Sequence, residues 1–257
     1  MATPVLETRN LSIRFGGHLA VDRVSTSFHA GTLTAIVGPN GAGKTTYFNL
    51  ISGQLPASTG SVLLAGREIT RLSAPARARL GLGRAFQLTN LFPNLTVHEN
   101  VRLAVQAKGR GGANIASRWT RQRDWIERAD RYLAAANLKD KRELLAVALP
   151  HGDKRKLEVA IMMALEPEVF MFDEPTAGMS LDDVPVVLDL IKALKAQGDK
   201  TILLVEHKMD VVRSLADRIV VLHNGRLVAD GPPAEVIGSA IVQEAYMGVP
   251  AGGGGNV

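Results

Sequence analysis

The stretch Gly38-Pro39-Asn40-Gly41-Ala42-Gly43-Lys44-Thr45-Thr46 decides how the rest of the chain is read. It spells G-x-x-x-x-G-K-[ST], and its flanks supply the strand–loop–helix setting that the motif requires. An apolar run, Leu33-Thr34-Ala35-Ile36-Val37, leads in as a strand. A helical run from Thr45 to Ser52 leads out, with Gly53 as its stop. Glycines let successive backbone N–H groups curl around an anion. The helix that follows adds the partial positive charge of its N-terminus. Lys44 is placed to reach the outer phosphates of a nucleotide, and the Thr45 hydroxyl to ligate Mg2+. The loop predicts a nucleoside triphosphate site but does not say what the energy is used for.

The 257 residues are enough for one large domain or two small ones. With 46% hydrophobic and 21% charged residues, the composition is that of an ordinary globular protein. No apolar run approaches the ~18 residues of a membrane span. The N-terminal MATPVLETRN lacks the basic and apolar regions of a signal peptide. The absence of cysteine excludes disulfides, thiolate zinc sites and Fe–S clusters, and a cytoplasmic protein is expected. The formal charge of +5 is compatible with nucleic acid, an anionic membrane surface, or simply a solvated face.

Upstream of the loop, residues 5–15 and 18–28 read as two strands joined at Gly16-Gly17. Phe15 could stack on a purine or pack as an edge aromatic; spacing alone does not choose. Downstream, Gly60 to Gly66 reads as a strand, Ala74 to Leu80 as a short helix, and Arg84-Ala85-Phe86-Gln87 as a strand ending in a polar residue. Helices follow over 96–106, opened by a Thr96/Glu99 capping box, and over 117–137, where Trp125, Ala129, Tyr132 and Leu133 form a core face. Residues 107–116 between them read as a flexible loop. Residues 88–152 carry almost no strand signal, whereas strands and helices alternate elsewhere. The expected architecture is therefore an α/β core over 4–87 and 153–248 with a helical subdomain, 88–152, inserted. The Gly-rich tail, 249–257, is expected to be disordered.

A helix over 152–165 precedes Val169-Phe170-Met171-Phe172-Asp173-Glu174, an apolar run that suits the middle of a parallel sheet. A helix over 183–197, the strand Thr201 to Val205, a short helix to Leu215, a hairpin about Asn224-Gly225 and two short helices complete the chain. In parallel sheets ligands bind at the carboxyl ends of strands. Asp173 ends one and is suited to supporting a metal; Glu174, beside it, is suited to being a general base. His207 ends another strand and is placed to contact a γ-phosphate, and Gln87 to touch the metal or the water.

The order of these features resembles the ATP-binding subunit of ABC transporters, over residues 4–248. That resemblance implies a P-loop NTPase (RecA-like) core with an antiparallel β subdomain and the inserted helical subdomain, using ATP and Mg2+. It implies that Lys44, Gln87, Asp173, Glu174 and His207 are the Walker A lysine, Q-loop glutamine, Walker B aspartate, catalytic glutamate and switch histidine, and that Phe15 stacks on adenine. It also makes Leu149-Pro150-His151-Gly152-Asp153 the signature motif, which in the family engages the nucleotide held by the other subunit of a head-to-tail dimer. Two departures stand out. Only Leu149 and Gly152 agree with the usual Leu-Ser-Gly-Gly-Gln, and Ala177-Gly178-Met179-Ser180 replaces the usual Ser-Ala-Leu-Asp of the D-loop. Both bear on the site formed with the partner's Walker A, while this chain's own Walker A is intact.

The runs FGGHLAVDRVS, PHGDKRKLE, DEPTAGMS, LLVEHKMDVV and AYMGV are similar to the branched-chain amino acid group of ABC importers, within it to the larger of the two ATPase subunits. This similarity implies a heterodimer with a second ATPase, two integral membrane permease subunits and, indirectly, a periplasmic solute-binding protein, at the cytoplasmic face of the inner membrane. The implied cargo is branched-chain amino acids or related solutes such as urea, amides or small organic acids. A nucleic-acid ATPase of the same superfamily would need long coiled coils or zinc modules, and the chain has neither heptads nor cysteine. A ribosome-associated factor would carry two cassettes, and one phosphate loop is found. No nucleic-acid partner is therefore expected. An exporter could use the same cassette, but the signature variant and AYMGV favour an importer.

Overall fold

The computed structural model describes residues 3–85, 91–108 and 118–239, with backbone only for 118–122. β1 (Leu6–Phe15) and β2 (His18–Phe28) form the expected hairpin, β3 (Leu33–Val37) enters the glycine loop, and α1 (Lys44–Ser52) leaves it. Gly53 ends α1 in the left-handed conformation, with its N–H turned back to the Asn49 and Leu50 carbonyls. Next come β4 (Thr59–Leu64), β5 (Arg67–Glu68), α2 (Ala74–Arg79) and β6 (Leu82–Ala85). The described part of the strand expected to reach Gln87, Leu82–Ala85, pairs in parallel with the strand Val169–Asp173. Gln87 itself, the 109–116 part of the expected loop, the helix expected near 240–247 and the Gly-rich tail lie outside the described residues.

The helical stretch contains α3 (Val97–Lys108) and α4 (Arg118–Ala135), and α5 (His151–Leu165) follows it. Thr96 caps α3 as expected, its hydroxyl accepting from Glu99 N at 3.1 Å. The Glu99 carboxylate, however, faces Arg102, 3.4 Å away. Trp125, Ala129 and Leu133 are buried, as their helical spacing predicts. β7 (Val169–Asp173), α6 (Val184–Lys195), β8 (Thr201–Val205), α7 (Met209–Leu215), β9 (Arg218–His223), β10 (Arg226–Gly231) and α8 (Pro233–Ile237) complete the order. Among the described residues, no helix is long and apolar enough to cross a membrane.

One sheet is antiparallel, in the order β2-β1-β4-β5; the other runs β10-β9-β3-β8-β7-β6. In the larger sheet only β10 is antiparallel. β3, β7 and β8 are buried at every position. This is why their sequences are unbroken apolar runs rather than alternating ones. Phe170, Phe172, Ile202 and Leu204 point to one face and pack with α3, α4, α5 and α6. Met171, Val169, Leu203 and Val205 point to the other, against α1 and the antiparallel sheet. The result is three layers, with the carboxyl ends of β3, β7 and β8 aligned by in-register parallel pairing. β1 departs from simple alternation: irregular registers between Thr8 and Arg14 bury Ser12 beside Leu11 and Ile13.

Candidate functional site at the strand ends

The glycine loop rests on two other pieces of backbone. A Cβ on Gly43, whose φ is 95°, would lie 2.5 Å from the Ala20 carbonyl oxygen of β2. Gly225, in the β9–β10 turn with φ 75°, meets the same oxygen, at 2.8 Å. Gly225 N donates to Ala42 O at 3.1 Å, and Asp22 N donates to Gly225 O at 2.8 Å. Only residues without a side chain allow this approach. Sequence reasoning assigned Gly225 to a hairpin; the structure makes it a wall of the phosphate loop.

Lys44 opens α1, and its ammonium donates to Gly38 O at 2.7 Å and Pro39 O at 2.9 Å. Burial lowers its pKa, while the nearby Glu174 and Asp173 carboxylates oppose that shift. The Lys44 cation and the two strand-end carboxylates thus share one electrostatic neighbourhood.

Asp173, the last residue of β7, is buried. Its Oδ2 accepts from Arg84 Nη2 at 2.8 Å, and among the described residues its Oδ1 has no hydrogen-bond partner. Burial raises the carboxyl's pKa; Arg84 works against this, and Glu174 adds to it. An orphaned, buried anionic oxygen beside a phosphate loop fits Mg2+, which uses one or two carboxylates and takes its other ligands from phosphates and water. Thr45, at the second position of α1, provides a hydroxyl on the same loop. Sequence reasoning passed over Arg84. Its Nη1 also donates to Asn49 Oδ1 at 2.6 Å, Ser52 Oγ at 2.8 Å and Gln54 Oε1 at 3.1 Å. The available signal was an arginine inside a short strand, a charge that must be paired if buried.

Glu174 sits just past β7 with φ 49°, an unusual conformation for a residue with a side chain. Two backbone bonds hold it there: Glu174 N to Val205 O at 2.9 Å and Ala177 N to Glu174 O at 3.0 Å. Its Oε1 lies 2.8 Å from His207 Nε2, within hydrogen-bonding reach. Two residues predicted from separate strand ends therefore form one pair. Phe15 ends β1 with 49% of its surface exposed, leaving ring surface free for stacking.

The pentapeptide Leu149–Asp153 lies elsewhere. Leu149 is buried and Pro150 caps α5, where a missing N–H costs nothing. Asp153 pairs with Lys141 and, at 3.2 Å, with Lys156; Lys156 also pairs with Asp183. The Ser180 hydroxyl donates to Asp183 Oδ2 at 2.9 Å. The Lys156 hydrogen bond, followed by that of Ser180, holds the Asp183 carboxyl below its usual range. Two close contacts complete the junction: a Cβ on Gly152 would lie 2.5 Å from Asp183 Oδ2, and one on Gly178 3.2 Å from His151 Cε1. The two segments that depart from the usual family pattern thus pack against each other.

Residues 21–177 match the sequence model described as ABC transporter. The chain is 35% identical over 253 residues to the high-affinity branched-chain amino acid transport ATP-binding protein LivG of Escherichia coli K12, covering 96% of this chain and 99% of that protein. The chain belongs to the ABC transporter family. Its 36% identity to BraF of Pseudomonas aeruginosa, another high-affinity branched-chain amino acid transport ATP-binding protein, covers the same shares of each chain. The crystal structure of the ADP conformation of MJ1267, an ATP-binding cassette of an ABC transporter, superposes with a TM-score of 0.80 at 28% identity, covering 96% of this chain and all of that one.

Proposed function

We propose that the chain is the ATP-hydrolysing subunit of an importer for branched-chain amino acids or related small polar solutes (urea, amides, small organic acids). The observation that carries this reading is the Glu174–His207 pair, 2.8 Å apart at the ends of neighbouring strands and one residue from the orphaned Asp173 oxygen. The cargo class is supported by the relatives, whose names assign branched-chain amino acid transport to them.

In this reading the loop Gly38–Thr46 and Lys44 bind the phosphates of ATP, and Phe15 stacks on adenine. Thr45, Asp173 and Gln87 would hold Mg2+, which would supply charge neutralisation at the phosphate oxygens. Glu174 accepts the proton of the attacking water, and His207 holds that carboxylate in place and touches the γ-phosphate. The products are ADP and phosphate. The second half of the site comes from a partner ATPase's signature, and Leu149–Asp153 completes the partner's site in return. We place residues 88–152 as a helical subdomain on the α/β core. An apolar groove of about 350 Å³ between α2, β6 and α5, lined by Ala78, Leu82, Leu91, Ile161 and Leu165, would receive a helix of one of two membrane permeases. The subunit then works at the cytoplasmic face of the inner membrane, fed indirectly by a periplasmic binding protein.

The test is Glu174→Gln in the assembled transporter, with the partner's equivalent glutamate also removed. ATP turnover should fall by about 10²-fold or more while ATP binding is kept. Undiminished turnover and continued uptake of labelled leucine would overturn the reading.

A further inference from the structure

Glu206, between β8 and His207, is only 3% exposed. A carboxylate so deeply placed costs several kcal/mol, on the order of a lost ion pair, unless its lone pairs are used. Among the described residues it has no ion-pair partner, and its donors are neutral. Oε1 accepts from the Thr176 hydroxyl at 2.5 Å. Oε2 accepts from the backbone N–H of His207 at 2.8 Å and of Lys208 at 3.2 Å. Charge-assisted hydrogen bonds of this kind are short and directional.

These bonds link two loops. Thr176 lies two residues after Glu174, and His207 immediately follows Glu206. The loops are joined at three levels: Glu174 N to Val205 O in the backbone, Thr176 to Glu206 below the surface, and Glu174 to His207 at the site. Oε2 fixes the peptide that carries the His207 ring, while Oε1 fixes the segment that carries Glu174. Glu174 also holds an unfavourable backbone conformation, which persists only where its surroundings over-determine it.

We infer that Glu206 and Thr176 are positioning residues that keep Glu174 and His207 in hydrogen-bonding register. The inference rests on the roles proposed above for those two residues. Thr176→Val, nearly isosteric, removes the hydroxyl and leaves the shape. In the assembled ATPase, with the partner's equivalent glutamate removed so that turnover reports this site, kcat should fall about 10-fold or more with ATP affinity within about two-fold of the parent. Thr176→Ser should restore kcat. In a His207→Ala background, Thr176→Val should cost clearly less than in the parent, because the Glu174–His207 register that it maintains is already lost. The inference is overturned if Thr176→Val leaves kcat unchanged, weakens ATP binding in parallel, or costs the same with and without His207. If His207→Ala alone leaves turnover unchanged, the role of His207 fails first and takes this inference with it.

Discussion

Arg84 joins the Asp173 carboxylate to the helix that follows the phosphate loop: Nη2 donates to Asp173 Oδ2 at 2.8 Å, and Nη1 to Asn49 Oδ1 at 2.6 Å. Its guanidinium also lies over the Phe48 ring, 5.6 Å from the centroid. Both ends of the ion pair are buried, so removing one leaves the other charge uncompensated. Arg84→Met should therefore cost about 3–5 kcal/mol in urea unfolding. Arg84→Lys should recover only part of this, since an ammonium cannot reproduce the planar fork. A loss under about 1 kcal/mol, typical of exposed pairs, would contradict this account.

The same pair sets a pH dependence. Burial raises the Asp173 carboxyl above its ordinary value despite Arg84. The folded chain then binds that proton more tightly than the unfolded chain does. The resulting stability is fully present below the unfolded pKa and is lost as pH rises through the folded one. Asp173→Asn has no such titration. Its stability relative to the parent should rise with pH through the weakly acidic range and then level off, as read by urea melts at successive pH values. In Arg84→Met the lowering influence of the guanidinium is gone, so the same rise should appear at higher pH.

Much of this site is legible in the chain because its signals are local. The glycine loop, the unbroken apolar strands and the polar residues at their ends each lie within a few positions of one another. Parallel pairing does the rest, since it aligns the ends of β7 and β8 and so brings Glu174 to His207. What escapes is what depends on distant partners. Arg84 meets Asp173 across 89 residues, Thr176 meets Glu206 across 30, and Gly225 closes on Ala42 from the other end of the core. No periodicity encodes such pairings. The bulges that bury Ser12 are likewise invisible to an alternating pattern.

Gly225 offers a direct check on the shared wall of the phosphate loop. In Gly225→Ala the new Cβ would meet Ala20 O at 2.8 Å and Ala20 C at 3.0 Å, both backbone atoms, at a φ of 75°. The turn must shift and take the Gly225–Ala42 hydrogen bond with it. The expected outcome is a loss of about 1–3 kcal/mol in stability, together with weaker binding of a fluorescent ATP analogue. Gly17→Ala, where a Cβ would meet nothing within 4 Å, is the matched control and should leave binding unchanged.

Lys156 ties the first turn of α5 to the segment after β7, holding Asp153 and Asp183 from one ammonium. If Leu149–Asp153 engages the nucleotide held by a partner, that ammonium sets the angle at which the pentapeptide is presented. Lys156→Met would leave two carboxylates facing each other across the junction, with Lys141 still reaching Asp153. ATP binding by this chain should be unaffected, because its own phosphate loop is not part of the network. Turnover at the partner's loop should fall about 10-fold, through kcat more than KM, as a misplaced positioning group would cause. Introducing Glu174→Gln alongside isolates that second site, so the loss can be assigned to it. Lys192→Met, which breaks the exposed pair with Asp189, should change neither binding nor turnover. Equal effects of the two lysine substitutions would show that the junction does not carry the signature's geometry.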